Sequence, residues 1–191
     1  MSEVNLNYDF TQRADSVLQA VEAWEFERAL GLINPNTDLN ERSLYGNTAL
    51  ILAIKHGVKD IYTKLVENGS DLNLQTAFGM SALHFAINVN DLNATHLLVE
   101  NGADINAKDI WGRTPLFIGT SFNRVQTTEY LIERRPKLNE LTVRNETAYF
   151  TANKYGHYSL AQLLEKTGAD TTLEPGEFDE DREAYVSIFS F

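Results

Sequence analysis

Gly79-Met80-Ser81-Ala82-Leu83-His84-Phe85-Ala86 belongs to a pattern that returns every 33 residues. It lies within 78–90 (FGMSALHFAINVN), which aligns with 45–57 (YGNTALILAIKHG) and 111–123 (WGRTPLFIGTSFN). A second set keeps the same period: 66–73 (VENGSDLN), 99–106 (VENGADIN) and 132–139 (IERRPKLN). Carried forward, the register reaches 145–156 (NETAYFTANKYG) and 165–172 (EKTGADTT). Carried back, it reaches 33–40 (INPNTDLN). A fixed period of this length is the mark of stacked supersecondary units.

The residue chemistry inside one period predicts two short helices. Thr48, Ser81, Thr114 and Thr147 each precede an apolar run, where a hydroxyl can accept from the first free N–H groups of a helix, worth about 1 kcal/mol each. Pro115 falls at the first helical position, where its missing N–H costs little. Leu83, Ala86 and Ile87 then recur at helical spacing. Small residues, Ala53, Ala86, Gly119 and Ala152, hold one position where neighbouring units must approach closely. A second helix comes next, as in Leu97-Leu98-Val99 and Leu163-Leu164, and Gly69, Gly102 and Gly168 end it in a left-handed conformation. One helix pair cannot bury its own apolar face, so the units must stack.

The pattern resembles ankyrin repeats, whose unit of 33 residues carries a G-x-T-P-L-H-x-A core and a later G-A-D-x-N. The best matches are 112–117 (GRTPLF), 79–86 (GMSALHFA) and 100–109 (ENGADINAKD). The resemblance covers roughly residues 13–172 and implies an all-α solenoid of helix-turn-helix units with β-turn fingers. The expected divisions are an N-terminal extension at 1–12, a divergent capping repeat at 13–42, and ankyrin repeats at 43–75, 76–108 and 109–141. A C-terminal repeat at 142–172 and a tail at 173–191 complete the chain. The capping repeat shows two helical patterns, Val17, Leu18 and Val21, then Phe26, Ala29, Leu30 and Ile33. The resemblance also implies that His84 braces the neighbouring unit, whereas Ile51, Phe117 and Phe150 stand at its position elsewhere.

Three departures stand out. Arg135 replaces the helix-ending glycine and is followed by Pro136, so this turn is either strained or built differently. Lys64 holds a place taken by Leu97, Tyr130 and Leu163, on the outer surface or with a snorkelling stem. Asn145 replaces the glycine of the turn, and Asn is the next most tolerant residue there.

Composition bounds the function. The 191 residues are 43% hydrophobic and 23% charged, near the average for a globular domain. Cysteine is absent, which excludes disulfides, thiol nucleophiles and cysteine-based metal sites. The N-terminus has no basic region or apolar run, and no stretch is long enough to span a membrane, so the cytoplasm is expected. Nucleophile-elbow, phosphate-loop and His-Glu-x-x-His patterns are missing, so neither catalysis, a metal nor a cofactor is expected. Asp71, Asp104 and Asp170 recur in turns, where they accept local backbone hydrogen bonds. His96 and His157 are expected as solvated helix-face residues.

The net charge of −11 disfavours nucleic acid and membrane surfaces and favours a basic or neutral partner. The charge is uneven: 1–12 carries −2, 173–191 carries −5, and the 160 residues between carry 15 basic and 19 acidic groups, or −4. Residues 108–145 hold seven basic groups against four acidic ones, a local +3. The tail is acidic first and apolar last, ending in AYVSIFSF, and is expected to cover the last helix pair.

By resemblance, the finger tips and the exposed side of the first helices form a concave binding surface. Tyr45, Phe78, Trp111 and Arg144 precede the turn residue of successive fingers, and Met80 and Arg113 come directly after it. Phe122, Lys154 and Tyr155 lie on the outward side of the first helices. Aromatics, Met and Arg are enriched in interface cores. These nine residues are therefore the expected partner-binding set. A non-catalytic module binding another protein, as a monomer or in a 1:1 complex, is the leading expectation. Its role would be a stand-alone inhibitor, an immunity-type antitoxin or a chaperone. The alternative is a translocated effector that mimics host ankyrin interactions.

Overall fold

The computed structural model describes residues 16–173. The expected extension at 1–12, the first residues of the capping repeat and the tail from 174 onward lie outside the described residues. Ten helices are arranged in pairs: α1 (Val17–Glu22) and α2 (Phe26–Leu32), α3 (Ala49–Lys55) and α4 (Lys59–Glu67), α5 (Ala82–Asn88) and α6 (Leu92–Glu100), α7 (Pro115–Ser121) and α8 (Val125–Glu133), α9 (Ala148–Lys154) and α10 (Tyr158–Lys166). Odd-numbered helices pack against one another in one layer and even-numbered helices in a second. Between units the chain makes a tight finger, closed in the second by an antiparallel bridge from Gln75 to Ser81. Among the described residues there is no extended strand.

Local chemistry sets the helix starts. Thr48, Thr114 and Thr147 accept from Ile51, Phe117 and Phe150 N–H groups at 3.3, 3.2 and 3.1 Å. At Ser81 the hydroxyl sits 2.9 Å from His84 Nδ1, the ring nitrogen that also accepts the Ser81 N–H at 3.1 Å. The first unit uses Ser16 in the same way, accepting from Gln19 N–H at 3.1 Å.

The departures resolve individually. Arg135 does adopt φ 55°, so the turn keeps its left-handed shape and carries the strain of a side chain there, on the order of 1 kcal/mol. Asn145 adopts φ 55° as well. Lys64 is half-buried and spans two units, its Nζ donating to the Leu30 carbonyl at 2.6 Å. That carbonyl lies in the last turn of α2, where free acceptors and the negative end of the helix dipole favour a cation.

Asparagine side chains tie each unit to the next. Oδ1 of Asn40, Asn73, Asn106 and Asn139 accepts from the backbone N–H of Asp71, Asp104, Lys137 and Asp170 at 2.8–2.9 Å. The carboxylates of Asp71, Asp104 and Asp170 accept from the N–H two residues on, as expected for their turns. Thr172 stands where the next asparagine would be, and among the described residues the ladder has no further rung.

The apolar core is continuous from Val17 to Leu131 and then divides. Two smaller clusters serve the C-terminal end, one around Leu116, Ile132, Ala148 and Leu164, the other around Ala152, Leu160 and Ala161. Buried Thr120, Thr127, Thr128, Thr147 and Thr151 occupy this region, and the Thr128 and Thr151 hydroxyls have no hydrogen-bond partner. Less apolar area and unmet hydroxyls weaken the coupling of the last unit. Native-state hydrogen exchange should therefore reach α9 and α10 at least tenfold faster than α4 and α6. Uniform protection across the array would refute this.

Candidate protein-binding face

Each finger is built from its base. Ser43, Thr76, Asp109 and Thr142 occupy one register position, and their side chains accept the backbone N–H of Asn47, Met80, Arg113 and Glu146 at 2.8–3.3 Å. A backbone bond crosses the same turn, for example Asp109 N–H to the Arg113 carbonyl at 3.0 Å. Successive fingers are then joined by single main-chain bonds. Ala77, Ile110 and Val143 N–H donate to the Tyr45, Phe78 and Trp111 carbonyls at 2.9, 3.1 and 2.9 Å. The residues at the tips are thus held side by side by backbone, and only their side chains are free to face a partner.

Asp109 does more than its counterparts. Its carboxylate is buried, accepts from Trp111 N–H at 3.0 Å, and takes Arg113 Nε at 2.6 Å. The Arg113 guanidinium therefore lies over the Trp111 ring, 4.4 Å from its centroid. Trp111 in turn stacks on Phe78 at 6.1 Å with planes 7° apart. Such stacking and cation–π contact pre-order the side chains before any partner arrives.

Of the nine expected residues, the structure brings Phe78, Trp111 and Arg113 into one contact group. Tyr45 is exposed on the preceding finger and, among the described residues, forms no ring pair with Phe78. Met80 is half-buried, and Arg144 is exposed at the tip of the last finger. Phe122 and Tyr155 lie elsewhere, at the C-caps of α7 and α9. A seven-residue helix, about 10 Å long, separates them from the fingers. They form a second exposed row with His56 and Val89, the C-caps of α3 and α5. Lys154 is tied down, its Nζ donating to Glu146 Oε1 at 2.6 Å.

Several contributors were not singled out by sequence reasoning. The finger-base row of Ser43, Thr76, Asp109 and Thr142 recurs at the full period and could have been found by aligning polar residues as strictly as glycines. Leu44 and Ile110, one position before the tip aromatics, are also exposed; Leu44 is 93% accessible. Trp24 is exposed in a left-handed conformation, φ 61°, with its ring 4.6 Å from His56. Its register equivalents, Gly57, Asn90, Asn123 and Gly156, share that conformation.

One histidine expectation is corrected. His157 is not a solvated helix-face residue: its Nδ1 lies 2.7 Å from the Thr120 carbonyl, bracing the last unit to the one before. His96 is exposed, with its ring 4.0 Å from that of Tyr130. Tyr130 and Arg134 both donate to Glu100 Oε1, at 2.7 and 2.6 Å, clamping two outer helices together. These hydrogen bonds hold the Glu100 carboxyl below its usual range; burial and then Glu100 push the Tyr130 phenol up to about 12.

Charge on the finger side is largely internally matched. Glu140 pairs with Lys108 and Lys137, and Asp109 with Arg113. No group of His, Asp or Glu among the described residues is arranged to hold a metal ion. No helix among them is long and apolar enough to cross a membrane.

Comparison with known families agrees with this architecture. A family model of three ankyrin repeats matches residues 18–109, and a model of many ankyrin repeats matches 89–132. The chain belongs to the ankyrin-repeat family, and such repeats are protein–protein interaction modules. No curated protein matches it in sequence.

Proposed function

We propose that the protein binds a partner protein, without catalysis, through the finger edge and the adjoining first helices. Binding there would hold the partner in an inhibited or protected state, as an inhibitor, immunity-type antitoxin or chaperone does. The observation that carries this reading is the ordered group Phe78–Trp111–Arg113, flanked by exposed Tyr45, Leu44 and Ile110. Apolar rings fixed by a buried carboxylate offer contact area with little entropy left to lose. Arg144 and the Lys154–Glu146 ion pair extend the surface with polar groups, and Phe122 and Tyr155 provide a second line of contact. The partner is expected to form a 1:1 complex in the cytoplasm and not to be nucleic acid or membrane.

The test is affinity capture from the source cell followed by titration of the identified partner. Trp111→Ala and Phe78→Ala should each weaken binding by about 2 kcal/mol, roughly 30-fold, with the fold intact by circular dichroism. Equal affinity for both variants and the parent sinks the assignment of this edge.

A further inference from the structure

Each unit passes from its first helix to its second through a left-handed residue. In the four later units Gly57, Asn90, Asn123 and Gly156 hold that place. In the first unit Trp24 holds it, at φ 61°. A bulky side chain at positive φ carries a conformational penalty that Gly avoids and Asn reduces. Burial does not repay it, because Trp24 is 61% exposed. The rings of His56 and Phe26 lie beside it at 4.6 and 5.5 Å and leave most of the indole in solvent. Strain without burial marks a residue placed for an external contact.

Trp24 opens a row that His56 and Val89 continue, one per unit, at the C-caps of α3 and α5. Between His56 and Val89 the surface dips into a cleft of about 580 Å³. Lys55, Asn90 and Asn93 line it, all exposed. The Asn90 Oδ1 is engaged by the Thr127 hydroxyl at 3.4 Å, which leaves its NH2 to donate. Asp91, the carboxylate of the lining, is committed internally: Oδ2 accepts from the Tyr62 hydroxyl at 3.1 Å and Oδ1 from the Ala94 N–H at 3.0 Å. The row therefore combines apolar surface with N–H donors, the indole N–H of Trp24 among them. Such a surface suits a ligand rich in acceptors rather than a cation.

The spacing narrows the choice. Neighbouring first helices pack side by side, at about 8–10 Å. A polyproline II helix has three residues per turn, so every third side chain returns to the same side after about 9 Å, and its carbonyls have no internal partners. An α-helix has already used its carbonyls. A β-strand turns every third side chain to the opposite face. Aromatic-lined grooves are the usual seat of proline-rich segments.

We propose that Trp24, His56 and Val89 form a docking site for a proline-rich segment of a partner protein, bound as a polyproline II helix. Its apolar side chains, three residues apart, rest on these three residues, and its carbonyls accept from Trp24 Nε1–H and from the Asn90 and Asn93 amides. The site lies at the helix ends, away from the finger edge, and does not require that edge to bind anything.

Two measurements test this. Trp24→Asn removes the ring and relieves the strain, so the variant should melt no lower than the parent. A lower melting temperature assigns Trp24 to packing and overturns the proposal. The second is selection on the full chain from an unbiased display library of peptides about 12 residues long, enough for four turns. Enriched sequences should carry prolines and apolar residues at every third position. A synthetic peptide of that sequence should bind Trp24→Asn and Val89→Ser about tenfold more weakly than the parent, and Trp111→Ala equally well. Enrichment of sequences without proline, no enrichment, or equal binding by Trp24→Asn and the parent each overturns the proposal. So does binding that is lost in Trp111→Ala and kept in Trp24→Asn, which places the peptide on the finger edge and leaves that reading standing.

Discussion

Replacing Gly79 by alanine should destabilise the protein by about 2–4 kcal/mol, whereas the same change at Gly102 should cost about 1 kcal/mol. Both residues are left-handed, with φ 74° and 91°, so both variants meet the same backbone penalty. Their surroundings differ. A Cβ on Gly102 meets nothing within 4 Å. On Gly79 it would lie 2.8 Å from Ile110 N and 2.9 Å from Asp109 Cα. These are main-chain atoms of the next finger, and they cannot retreat without stretching the bond from Ile110 N–H to the Phe78 carbonyl. Overpacking of about 1–3 kcal/mol is therefore added to the strain. At about 2–4 °C per kcal/mol for a chain of this size, the melting points of the two variants should differ by several degrees. Gly79→Ala should also disturb the Phe78–Trp111 stack, visible in tryptophan fluorescence, while Gly102→Ala leaves it alone. Equal destabilisation would falsify the claim that fingers are set by backbone contact.

Asn145 fits the same account. It holds the equivalent place in the last finger, in the same left-handed conformation, and among the described residues no later finger lies against it. A side chain there meets only the conformational cost, which Asn bears better than most residues. Among the described residues, the departure thus falls at the one finger with no later finger packed on it.

The sequence makes legible what each residue does to its own backbone. Capping hydroxyls, Pro115, the left-handed glycines and the Asx turns of Asp71 and Asp104 act within four residues, so a 33-residue alignment exposes them. Contacts across units were harder. His157 pairs with Thr120, 37 residues away, and no other unit repeats the arrangement. Lys64 reaches Leu30 for a carbonyl freed by a helix end that carries no distinctive signal. The threonine layer that divides the core is built from Thr120, Thr127, Thr128 and Thr151, each ordinary in its own helix. For the nine residues proposed to bind a partner, register gave each one's place along the array. It could not give the distance between the two rows, because a finger tip and a helix end share a side of the solenoid yet sit a helix length apart. Nor did it reveal Asp109, whose buried carboxylate decides where Arg113 and Trp111 point.

His84→Leu should cost about 2–3 kcal/mol at neutral pH, and the gap to the parent protein should narrow as pH falls. The imidazole is wholly buried, and its two nitrogens join two units: Nδ1 accepts from Ser81 N–H, which leaves Nε2–H to donate to the Arg113 carbonyl. Leucine keeps most of the volume, and Ile51, Phe117 and Phe150 show that this position accepts apolar side chains. The loss therefore reports two hydrogen bonds and the polar groups left behind, about 1–1.5 kcal/mol each. Burial, the largest influence on the ring, holds its pKa below the ordinary value near 6.5, although the Arg113 carbonyl and Asp109 act in the opposite direction. The unfolded chain thus binds a proton more readily than the folded one. The stabilisation from neutral His84 is complete above about pH 6.5 and drains away as pH falls from there through the lowered folded pKa. Chemical denaturation at pH 7.5 and pH 5 should show the parent losing stability and the leucine variant losing less. A constant difference between the two proteins across that interval would mean that folding leaves the His84 pKa unshifted. The added proton would go to Nδ1 and displace the Ser81 N–H, while Nε2–H keeps its bond to the Arg113 carbonyl, so acid should loosen the start of α5 before the finger that carries Arg113.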